Sequence, residues 1–117
     1  MKVDWQQAYK HQHKKLKSSM SAIGSELHVV DVLMAKADGL PEGNDLKAIA
    51  LKQLKALKAR LETEKVDFLA EHRLFQKEVQ EDEAERQTEK LKVLTEQIHS
   101  KLQGWRKELS VQKKMLE

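Results

Sequence analysis

Gln80–Lys90, QEDEAERQTEK, is the stretch whose reading decides the fold. Its only apolar residue is Ala84, and it separates two apolar stripes of helical period. Upstream the stripe runs through Leu46, Ile49, Leu54, Leu57, Leu61, Phe68, Phe75 and Val79; downstream it runs through Leu91, Ile98, Leu102, Trp105, Leu109 and Leu116. No Gly or Pro interrupts the stretch, so the chain either turns there or continues as helix. A turn is preferred, because Asp82-Glu83-Ala84-Glu85 resembles a capping box and acidic side chains suit a helix N-terminus. An unbroken helix over about 45–117 would be roughly 110 Å long and would leave the downstream stripe uncovered unless a second chain buried it.

Working outward, Asp4-Trp5-Gln6-Gln7 opens a first helix with another capping-box pattern. Its stripe is Tyr9, Leu16, Met20, Ile23, Leu27, Val30, Met34 and Ala37, a heptad seam that includes His13. The segment DGLPEGND carries the chain's only Pro and two of its Gly, and predicts a chain reversal. The expected fold is all-α: an antiparallel three-helix bundle with coiled-coil-like packing. Its boundaries are helix 1 over about 4–37, a turn at 38–44, helix 2 over about 45–79, a turn near 80–83 and helix 3 over about 84–116. All 117 residues then form a single helical domain. The alternative is a helical hairpin with one very long second helix, as a monomer or as a dimer.

Composition agrees with helix. The chain is 35% charged and 39% hydrophobic, with 4% aromatics, so a β-sandwich lacks its raw material. There is no Cys, which excludes disulfides, thiolate nucleophiles and thiolate metal sites. Purely apolar runs are short, Val32-Leu33-Met34-Ala35 being typical, so no membrane span is expected. The start MKVDWQQAY lacks the apolar core of a signal peptide, and a cytoplasmic location is the expectation.

Charge runs in blocks. The segment YKHQHKKLK, Tyr9–Lys17, is basic, and folding helix 1 on helix 2 sets it level with Glu62–Glu78. The same fold sets Glu26 and Asp31 level with Lys52–Lys58, so opposite blocks are expected to meet at both ends. One end stays basic, formed by Lys47, Lys52, Lys55 and Lys58 with Arg106, Lys107, Lys113 and Lys114.

For catalysis the sequence offers no phosphate loop, nucleophile elbow or zinc-protease motif, and no enzyme activity is expected. His11 and His13 are two apart and point in different directions on a helix. His72 could approach them after the fold-back, but a zinc site would want more ligands, and neither metal nor cofactor is expected. The informative anomaly is apolar residues off the seams: Val29, Val32 and Leu33 on helix 1, Val93 and Val111 on helix 3. They are the candidate protein interface, with Leu33 also within reach of cover by helix 3. The expected function is therefore non-enzymatic protein–protein interaction, as an adaptor, assembly factor or chaperone-like subunit, with self-association possible. The alternative is a polyanion-binding accessory protein using the basic end. Nucleic acid is the less favoured partner, since the basic N-terminal segment is expected to face acids and the net charge is only +3.

Overall fold

A computed structural model describes residues 2–117. Three helices follow one another: α1 (Trp5–Asp38), α2 (Asp45–His72) and α3 (Glu81–Met115). They pack as an all-α three-helix bundle extending 65 × 25 × 15 Å.

Local chemistry starts and stops each helix. The Asp4 carboxylate accepts from the Gln7 backbone N–H at 3.2 Å, capping α1. At the other end the Gly39 N–H donates to the Ala35 carbonyl. Gly43 then takes φ +83°, a conformation that L side chains rarely adopt, and Asn44 caps α2 by accepting from the Leu46 N–H at 2.9 Å. The start of α3 is marked by Glu81, Asp82 and Glu83 in its first turn, with no side-chain cap from Gln80.

The second connection differs from expectation. α2 ends at His72 rather than near 79, and the chain reverses over 73–80, upstream of the expected turn at 80–83. Its backbone is held by distant side chains. The Tyr9 hydroxyl donates to the Gln76 carbonyl, and Gln6 Nε2 donates to the Val79 carbonyl at 3.1 Å. Phe75 and Val79 turn inward against the core, while Leu74 is 82% exposed.

α1 and α3 run parallel and form the closest pairing; α1 and α2 are antiparallel, and α2 touches α3 only sparsely. The α3 stripe is buried throughout from Leu91 to Leu116. On α1, Tyr9, Leu16, Ile23 and Val30 are buried, whereas Leu27 and Met34 are half-buried. On α2, Ala50 is buried in place of Ile49, which faces out. The α1–α3 seam also contains polar residues that an apolar stripe cannot reveal. Gln12 Nε2 donates to Thr95 Oγ1 at 3.2 Å, and Ser19 Oγ lies 2.8 Å from His99 Nε2. Such pairs fix register, because a slip would strand buried polar atoms.

Candidate functional site

Of the off-seam residues expected to form an interface, Leu33 is only 5% exposed and belongs to the core. Its position lets α3 cover it, so it is corrected from interface to core. Val29 and Val32 are exposed on the outer side of α1. Val93 and Val111 are exposed too, but on another side of the molecule, where α3 faces α2. The four valines therefore do not make one patch.

The sparse α2–α3 contact leaves a furrow along that side of the bundle. At one end it opens into a groove of about 750 Å³, lined chiefly by apolar surface from Leu74, Phe75, Val93 and Leu94. Glu71 and Glu89 stand at this groove with Arg86 and Lys90, so its charge is mixed. Further along, shallower hollows are lined by Ala59, Thr63 and Trp105, then by Ala56, Leu57 and Val111. Two ion pairs cross the furrow: Lys101 to Glu64 at 3.1 Å and Arg60 to Glu108 at 2.9 Å. Small side chains explain the opening. Ala56, Ala59 and Thr63 on α2 line the hollows with little bulk toward α3. Val93, Gly104 and Val111 recur at helical spacing, so they present one face over about 27 Å.

Leu74 escapes a reading based on stripes. The signal was its adjacency to Phe75: neighbours on a helix point about 100° apart, so one stripe cannot bury both.

The basic end is partly neutralised within the chain. Lys47 Nζ bonds the Glu42 carboxylate at 2.8 Å and the Leu40 carbonyl at 3.1 Å. Lys58 pairs with Asp31, and Arg106 with Glu26, both at 2.8 Å. The Lys58–Asp31 pair bears out the expected meeting of charge blocks at that end, whereas Glu26 pairs with Arg106 of α3 rather than with Lys52–Lys58. Among the described residues Lys52, Lys55, Lys107, Lys113 and Lys114 are exposed without an ion pair, spread over the outer sides of two helices. At the other end the expected pairing is absent. Lys10, Lys14, Lys15 and Lys17 are all exposed, and no carboxylate lies within ion-pair distance of any of them among the described residues.

His13 and His72 do come together, with ring centroids 5.0 Å apart, and Tyr9 stacks on His13 at 5.9 Å. Burial first, and then the neighbouring His72 and Lys17, hold the His13 pKa below the usual histidine range. Burial and then Lys17 do the same to His72, whose buried Nε2 has no hydrogen-bond partner. This is a pair disposed to stay neutral. Among the described residues no group of three or more His, Asp or Glu side chains is placed to hold a metal. No helix among them is long and apolar enough to cross a membrane.

No family model matches the chain, and no curated protein or solved structure shows significant similarity to it.

Proposed function

We propose that the protein is a non-enzymatic docking module that receives an amphipathic helix of a partner protein in the α2–α3 furrow. The observation that carries the reading is the exposed apolar line of Leu74, Val93 and Val111 along a furrow that the chain's own helices leave open. A helix laid there would complete a four-helix arrangement, burying its apolar face on that line and meeting charges of both signs at the rim. An open, elongated furrow suits a helix better than a small molecule, which binds in concave pockets that enclose it. Adaptor, assembly factor and chaperone-like subunit are all roles for such a seat, and the reading takes the module to act in the cytoplasm.

A photo-crosslinking amino acid placed at Val93 or Val111, and as a control at Val32, tests this in cells of the native host. The furrow positions should trap a discrete partner, with the adduct on the apolar face of a helical segment. Leu74→Ser with Val93→Ser should abolish crosslinking from position 111. An adduct only from position 32, no adduct at all, or an adduct to a second copy of this chain would overturn the proposal.

A further inference from the structure

A second surface lies on α1, the helix that both others flank. From Trp5 to Ser25 the chain has four Lys, two His and no carboxylate. The first two carboxylates of the helix, Glu26 and Asp31, are each engaged sideways by ion pairs to α3 and α2. What remains outward is a line at steps of three and four: Lys10, Lys14, Lys17, Ser21, Ser25 and His28, all exposed. Such spacing puts them on one face, opposite the buried stripe, over about 27 Å of helix. Lys10 shares a shallow pocket with Asp4 and Glu78 at the helix start without pairing to either.

We infer that this face of α1 binds the phosphate backbone of duplex nucleic acid without regard to sequence. Three features choose this occupant. Between Lys10 and His28 the line carries no exposed apolar side chain, the first being Val32 one step beyond, so the lysine-bearing stretch lacks both the apolar centre of a protein interface and the wedge that an interfacial membrane helix inserts. Tyr9 is 1% exposed and Trp5 is half-buried and off the line, so the line carries one ring, His28 at its far end, and not the succession of rings on which single-stranded bases stack. Lysines interleaved with hydroxyls along a straight line suit a regular row of phosphates, and contacts of that kind carry no base information. The face does not include the furrow residues, and the inference does not depend on the furrow's occupant.

The test is fluorescence anisotropy of a labelled random-sequence DNA duplex titrated with the full chain at several salt concentrations. Three phosphate contacts, from Lys10, Lys14 and Lys17, should give a log–log salt slope of about −2.7, a loss of roughly 40-fold between about 50 and about 200 mM. Lys10→Gln, Lys14→Gln and Lys17→Gln together should bring the slope close to zero. A control with the same change in net charge, Lys52→Gln, Lys55→Gln and Lys107→Gln, should leave the slope near the parent value. Circular dichroism checks that both triple variants keep their helicity. Equal losses in the two variants would overturn the inference, as would no saturable binding at about 50 mM salt. Binding to phosphatidylserine vesicles or to polyglutamate as tight as to the duplex would overturn it as well.

Discussion

Leu61→Ala and Leu74→Ala apply one chemical change to two environments. Leu61 is 0% exposed and belongs to the core cluster; Leu74 projects from the second connection into solvent. The substitution removes three carbons, worth about 2.4 kcal/mol at ~0.8 kcal/mol per buried methylene. A residual cavity of ~40 Å³ adds about 1 kcal/mol, for a total near 3.5 kcal/mol at Leu61. For 117 residues the unfolding entropy is about 0.25 kcal/mol/K, so the melting temperature should fall by about 14 °C. At Leu74 the change should stay within about 0.5 kcal/mol, or about 2 °C. Thermal and urea unfolding followed by circular dichroism measure both. Equal losses at the two positions would refute the assignment of Leu61 to the core and Leu74 to a free surface.

The His13–His72 pair makes stability depend on pH. Both folded pKa values are depressed, by burial first, so the unfolded chain binds protons that the bundle resists. The pair's contribution is fully present above the ordinary histidine value of about 6.5 and is lost as pH falls through the lower folded values. His72→Gln should flatten that decline, and a decline of unchanged steepness in the variant would exclude the pair as its source. Trp105, 5% exposed on α3, should resist acrylamide quenching in a Trp5→Phe background, and free quenching would show that the α3 stripe is not packed.

The first reversal was legible because it is written in local chemistry: Pro41, Gly43 and Asn44 each act on their own backbone. The second was misplaced for the opposite reason. RLFQKEVQ has no breaker, and Phe75 and Val79 prolong the helical stripe of α2. What ends the helix is tertiary: Tyr9 and Gln6, about seventy residues away, take up the carbonyls of Gln76 and Val79. Helix 3 was found within a few residues because Glu81–Glu83 mark its first turn. The candidate site was half legible. Val93 and Val111 stand out as apolar residues off the seam, and Val29 and Val32 look identical to them in sequence. Only the bundle geometry puts the first pair in a furrow and the second on an open face. Leu33 shows the converse, since a helix packed against two neighbours buries a wider face than a two-helix seam requires. The unpaired N-terminal lysines depend on rotation about the helix axis, which levels along the chain do not supply.

The central claim is that the chain turns back over 73–80 and lays α3 beside α2, because that reversal creates the furrow. Arg60 and Glu108 face each other across it, 48 residues apart in sequence. Spin labels on Arg60→Cys and Glu108→Cys, in a chain with no other Cys, report that distance directly by pulsed dipolar spectroscopy. Dilution with unlabelled protein removes distances between chains. The bundle should give a single population at roughly 10–25 Å, an interhelix spacing of about 10 Å plus the label arms. A population near 72 Å, the rise of a continuous helix over that interval, would contradict the account.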